Sequence, residues 1–126
     1  MQGTDSLTAL IEKYCRALEI GDKTALDECY APDARVWNSM DRTDRAGQDH
    51  TKLQSEPVTG FFARYADRKY TEARVNLFDG GFVRQHVLTG FLEDGTKFSR
   101  PICLIGYVEN GRIARIDEYL GTRLPK

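Results

Sequence analysis

Gly81-Phe82-Val83-Arg84-Gln85-His86-Val87-Leu88-Thr89-Gly90 is the run around which the chain is organised. Apolar β-branched and aromatic residues recur at steps of two, between a Gly-Gly turn and a closing glycine. That is the pattern of a β-strand. Side chains two apart share a face, so Phe82, Arg84, His86 and Leu88 point one way and Val83, Gln85 and Val87 the other. A cation and an imidazole between apolar neighbours are costly to bury unless each finds a partner. Two arrangements meet that cost. The pair lines a polar pocket inside an apolar cavity, or it is a structural pair satisfied by its neighbours.

Outward from this strand the β pattern continues, with runs at 70–78, 82–92, 96–108 and 112–120. They are separated by Asp79-Gly80-Gly81, Glu93-Asp94-Gly95 and Glu109-Asn110-Gly111, each short and each placing glycine where a tight hairpin needs it. Pro101 lacks an amide hydrogen, which predicts a bulge or bend within the third run. Upstream, Asp5 or Ser6 can cap a helix with Leu7, Leu10, Ile11, Tyr14 and Leu18 on one face. Gly21 suits the left-handed position that ends it, and Asp22 can cap a short second helix through Tyr30. Pro32 stops that helix, a strand follows over 33–38, and a polar loop over 39–48. The next segment is helical, with Pro57 fitting a first turn and Val58, Phe61, Phe62 and Tyr65 on one side. Helices first and an antiparallel meander after predict the α+β class, a curved antiparallel sheet wrapped on N-terminal helices, in one domain over 1–126.

The bulk numbers exclude several classes. A chain of 126 residues is long enough for one sizeable core. Eighteen Lys and Arg against nineteen Asp and Glu give a net charge of −1, which is no footprint for nucleic acid or an anionic membrane. No signal-peptide pattern and no apolar span stand out, so a cytoplasmic protein is expected. Cys15, Cys29 and Cys103 form no paired motif and suit a reducing compartment. With His50 and His86 the only histidines, no dedicated metal site is expected.

Three stretches carry a family resemblance. They are Tyr14-Cys15-Arg16-Ala17-Leu18-Glu19-Ile20-Gly21-Asp22, Tyr30-Ala31-Pro32-Asp33-Ala34-Arg35-Val36-Trp37, and Gly106-Tyr107-Val108-Glu109-Asn110-Gly111-Arg112-Ile113 followed by Asp117-Glu118-Tyr119-Leu120. Through them the chain resembles the SnoaL-like branch of the nuclear transport factor 2-like superfamily over nearly its whole length. The resemblance implies a cone-shaped α+β barrel with a deep, largely apolar pocket at its mouth. It does not fix a reaction, because the fold hosts isomerases, dehydratases, epoxide hydrolases, cyclases and binding modules. Against ketosteroid isomerase, Tyr14 stands at the helix tyrosine, Asn38 replaces the carboxylate base and Cys103 the late-strand Asp. Against limonene epoxide hydrolase, Arg84-Gln85-His86 matches Arg-x-Asp with the Asp lost, and Glu118 stands for the last-strand Asp. His86 is similar to the catalytic histidine on the same strand of scytalone dehydratase.

His86 is accordingly the expected proton-transfer group, since an imidazole titrates near neutrality; a buried neutral histidine bonded to a neighbour is the alternative. Glu118 would orient His86 or act as partner acid, unless Asp117 faces inward and Glu118 is a surface charge. Arg84 would offset developing charge or pair structurally with Glu118 or Glu72. Tyr14 is either a core residue or a donor to an oxyanion. Asn38 would orient a substrate oxygen, with Trp37, Met40, Phe62 and Tyr65 supplying an apolar wall. Cys103 joins that lining as packing, because nothing near it in sequence would activate a thiol. The resulting expectation is a lyase that needs no cofactor, of dehydratase or retro-aldol type, acting on a small hydrophobic, aromatic, hydroxylated compound. The alternatives are a non-catalytic module for small ligands, or an isomerase or epoxide hydrolase of the same fold. Val83, Val87, Ile105 and Tyr107 on the other sheet face suit a homodimer.

Overall fold

The computed structural model describes residues 4–39, 65–122 and 124–125. Helix α1 (Thr4–Ile20) buries Leu7, Ile11, Tyr14 and Cys15, the face that the apolar spacing predicts. Gly21, at φ 77°, ends it in the left-handed region, where a side chain would be strained. Asp22 then caps α2 (Lys23–Cys29), its Oδ1 accepting from the Ala25 amide at 3.0 Å. Asp5 lies within the first turn of α1 rather than before it. Tyr30 is the first residue of a strand, not the last of α2. The polar loop beyond Ser39 and the expected helical segment carrying Pro57, Val58, Phe61 and Phe62 lie outside the described residues.

The strands are β1 (Tyr30–Asn38), β2 (Ala66–Phe78), β3 (Gly81–Phe91), β4 (Lys97–Glu109), β5 (Arg112–Leu120) and the short β6 (Leu124–Pro125). Their order across the sheet is β1-β5-β4-β3-β2, with β6 against β4. Strands β2 to β5 form the predicted antiparallel meander. Asn110 and Gly111, both at positive φ, make the two-residue turn that matches the twist of β4 and β5. Strand β1 joins on the far side of β5 and runs parallel to it, pairing Val36 with Ile116 and Asn38 with Glu118. The sheet is therefore mixed rather than wholly antiparallel.

The irregularity expected at Pro101 is absent on the β3 side, where pairing runs unbroken from Gly81↔Tyr107 to Phe91↔Lys97. The Pro101 carbonyl accepts from the Gly121 amide at 2.8 Å, just beyond the end of β5. Its nitrogen faces the same edge, where no ladder bond is missed. Irregularities fall elsewhere: between Tyr107 and Val108 where β4 meets β5, between Tyr30 and Arg35 in β1, and in β2 at the positive-φ residues Asp67 and Glu72. The one at Glu72 lies opposite His86, between the pairs Thr71↔Val87 and Arg74↔Gln85. Strand β2 is also the exposed edge, and the kinks with Asp67, Lys69, Glu72 and Arg74 hinder pairing with another chain.

One sheet face packs on the helices. Its core holds Phe82, Ile113 and Ile116 with Leu26 and Cys29, all essentially inaccessible. The end of α1 is fixed to β2 by Arg68, a buried arginine. Its Nε donates to the Leu18 carbonyl (3.0 Å), Nη2 to that of Glu19 (3.1 Å) and Nη1 to that of Tyr65 (2.6 Å). The Glu19 carboxylate in turn accepts from the Tyr70 amide at 2.7 Å. These bonds satisfy carbonyls that a helix end leaves without partners. Among the described residues no helix is long and apolar enough to cross a membrane.

Replacing Arg68 by Met keeps the packed stem and strands these carbonyls. Urea denaturation of Arg68→Met should show a loss of about 3 kcal/mol; a loss under about 1 kcal/mol would mean that water takes over the bonds.

Candidate active site

Alternation along β3 places Phe82, His86 and Leu88 in the interior, with Arg84 on the same face. His86 is 3 % exposed, and its Nδ1 lies 2.5 Å from Arg84 Nη1. A guanidinium carries donors only, so Nδ1 accepts and the neutral ring holds its proton on Nε2. That Nε2 is buried and has no hydrogen-bond partner among the described residues. Burial, and then the charge of Arg84, push the imidazole down to about 3. Tyr70 packs on the ring at 4.3 Å between centroids, and its hydroxyl is itself pushed well up by burial. At neutral pH His86 is thus an uncharged donor whose N–H bonds no described residue.

Glu118 pairs with Leu104 on β4 and with Asn38 on β1, and shares their interior face. Asp117 points the other way and accepts from Arg115 Nε at 2.7 Å. Of the two adjacent carboxylates it is therefore Glu118 that turns inward. Burial pushes its carboxyl up to about 7, although Arg100 pulls in the opposite direction.

The hydroxyls of Tyr14, on α1, and Tyr30, opening β1, meet at 3.0 Å with their rings edge to face. One hydroxyl donates to the other, which leaves one proton for a further acceptor. Burial raises both phenols first of all, and the negative charge of Glu118 adds to the rise, as it does for Tyr70. The carboxyl, the phenols, His86 and Arg84 thus belong to one electrostatic neighbourhood. Cys15 adjoins it, its thiol pushed up to about 12 chiefly by burial and so held unreactive.

Of the expected site residues, the fold brings together Tyr14, Arg84, His86, Asn38 and Glu118. The guanidinium of Arg84 bonds His86 rather than Glu72, which sits exposed at the kink in β2. Tyr65 packs against Phe98 at 5.1 Å between centroids, in the core. Trp37 and Cys103 do not join them. Trp37 pairs with Asp117 and stacks on Tyr119, and Cys103 pairs with Tyr119 and Gln85, all on the opposite face. Each precedes an inward residue by one position, so the pleat turns it away from the interior face. Cys103 instead lines an outer groove with Gln85, Val87, Pro101 and Tyr119. Met40 and Phe62 lie outside the described residues.

The sequence reading missed Tyr30, Tyr70 and Arg100. Arg100 pairs with the buried Leu88, and its Nε is buried without a partner among the described residues. The step-of-two pattern Phe98, Arg100, Ile102, Leu104 carried the same signal that singled out Arg84 and His86. Among the described residues, no three His, Cys, Asp or Glu side chains are placed to hold a metal ion.

Residues 11–116 match the sequence model of the SnoaL-like domain. None of the curated proteins matches the sequence. Solved structures share the fold at low identity. TsrD from Streptomyces laurentii superposes with a TM-score of 0.80 at 18 % identity, covering 95 % of this chain and 91 % of its own. An NTF2-like protein from Burkholderia xenovorans LB400 gives 0.75 at 17 %, covering 97 % and 94 %. An LEH-like epoxide hydrolase from M. tuberculosis gives 0.74 at 15 %, covering 93 % and 84 %. The fold is thus the NTF2-like fold, which one of these relatives by shape shares as an LEH-like epoxide hydrolase.

The raised Glu118 carboxyl sets a stability test. Its folded value of about 7 exceeds the ordinary 4.5. Its burial therefore costs nothing below pH 4.5, costs progressively more up to about pH 7, and a constant amount above that. Glu118→Gln should exceed the parent in stability by about 3 kcal/mol at pH 8, and match it near pH 4.5. Equal chemical denaturation midpoints for the two proteins at pH 8 would mean that the carboxylate is well solvated.

Proposed function

The chain belongs to the SnoaL-like domain family, and on that premise we propose that it is an acid–base lyase for a small hydrophobic, aromatic, hydroxylated carbonyl compound. The observation that carries this reading is a buried carboxyl poised near neutrality on the same interior face as an unsatisfied His86 N–H. A base needs a value near the working pH, and the oxyanion it generates needs preorganised donors in a dry setting.

In this reading Glu118 is the proton-transfer group and His86 is a donor, the reverse of the roles expected from sequence. The Glu118 carboxylate takes the proton from the carbon beside the substrate carbonyl. The electron pair moves onto the carbonyl oxygen, which accepts from His86 Nε2–H and from the spare hydroxyl proton of the Tyr14–Tyr30 pair. The enolate re-forms its carbonyl as the β-hydroxyl departs, taking the proton from Glu118 to leave as water. The enzyme returns to its starting state with no net redox change. Arg84 is a positioning residue: it holds Nδ1 and so keeps the imidazole proton facing the substrate. Asn38, beside Glu118 in register, supplies an amide for the leaving hydroxyl.

The test is turnover of aryl β-hydroxy ketones to conjugated enones, followed by ultraviolet absorbance. kcat/KM should rise with pH through an inflection near the Glu118 value of about 7 and then level off. Glu118→Gln should lower it about 1,000-fold, and His86→Phe about 100-fold. A panel that stays unreacted, or a Glu118→Gln protein as fast as the parent, would reduce the site to a binding pocket.

A further inference from the structure

Two buried nitrogens on the interior face have bonding capacity that no described residue uses, His86 Nε2 and Arg100 Nε. They are diagonal neighbours across β3 and β4, because His86 pairs with Ile102 and Leu88 with Arg100. Diagonal positions stand roughly 7 Å apart, within reach of one small ligand that spans both side chains. Between and beside them lie the apolar Leu88 and Ile102 and the ring of Tyr70. The charges on this face do not balance either. Arg84 and Arg100 are permanently cationic, and the one described carboxyl among them is Glu118. Arg84 is already committed to His86 and lies 5.7 Å from the Tyr70 ring centroid, which leaves Arg100, whose Nε no described residue uses, as the cation to meet a ligand.

We propose that the ligand is an anion, an aryl carbonyl compound bearing a carboxylate, with the carboxylate on Arg100 and the carbonyl oxygen on His86 Nε2–H. This rests on reading the interior cluster as a ligand site, and it names the class of compound that site takes. A carboxylate matches the guanidinium in shape and charge and offsets its excess. A phosphate would bring a second charge, more than one guanidinium offsets. The diagonal spacing of the two positions, roughly 7 Å, sets the ligand's own geometry, with the carboxylate a few bonds from the carbonyl.

The probe is β-benzoylpropionate, an aryl ketone with its carboxylate two methylenes away, set against its uncharged amide. Calorimetry on the full chain should find the carboxylate bound at least tenfold more tightly than the amide. Arg100→Met should bring the ratio close to one with little change in affinity for the amide. An amide that binds as well as the carboxylate would overturn the proposal, as would a ratio that survives Arg100→Met or no binding of either probe at millimolar concentration. Should Arg100→Met not fold, the ratio measured on the parent protein still decides. Glu118→Gln separates this proposal from the lyase reading, because it should remove turnover while the carboxylate preference holds or grows, a competing negative charge near Arg100 having been removed. A lost preference alongside Glu118-dependent turnover removes the anion alone; a firm preference with turnover indifferent to Glu118 removes the lyase alone.

Discussion

The hydrogen bond from Arg84 to His86 constrains everything else in the interior. A guanidinium offers donors and cannot give up its proton, so the imidazole beside it must accept through Nδ1. The ring's own proton then sits on Nε2, on the side away from the arginine. The same positive charge, added to burial, opposes protonation of the ring, so His86 stays neutral across the usual working range. A residue type associated with proton shuttling is held here as a fixed dipole. Titration near neutrality passes to Glu118, two strands away, with Leu104 in register between it and Arg84.

This division of labour has a cost in stability, and the rest of the fold offsets it. A carboxyl pushed up by burial weakens the folded state, as does a buried N–H that no described residue satisfies. Against them stand an apolar core continuous across both helices and the sheet, and the arginine that fastens the end of α1 to β2. The fastening matters for the interior cluster, since Tyr14 and Cys15 reach it from α1 while Tyr70 follows Arg68 by two residues on β2. Loosening that joint would move both sides of the cluster at once.

Much of this was legible in the chain, for reasons that differ by element. The hairpins were readable because Asn110-Gly111 and the other separators require backbone angles that few residues adopt. The inward face of β3 was readable because alternation is strict, and a cation and an imidazole stand out against it. The parallel pairing of β1 with β5 was not readable, because no local signal says which strand a lone extended segment will join. Trp37 and Cys103 were misplaced for a related reason. Chemical suitability for a pocket was weighed without following the pleat from Val36 and Leu104, which would have turned both outward. The role of His86 was hidden more deeply. It depends on which ring nitrogen a neighbour two residues away occupies, and that is a matter of rotamers rather than of composition.

The pairing of β1 with β5 also bears on how the chain reaches this fold. Trp37 sits beside Asp117, roughly eighty positions along, so the contact closes a loop containing most of the protein. Such closures are entropically slow and delay the rate-limiting step of folding. During synthesis β1 leaves the ribosome long before its neighbour exists, and the meander must assemble first to offer it an edge. The catalytic carboxyl of the proposed reaction and the amide beside it are consequently joined only after β5 has been made. A nascent chain stalled before that strand has its helices and earlier hairpins in hand, and half of the proposed site.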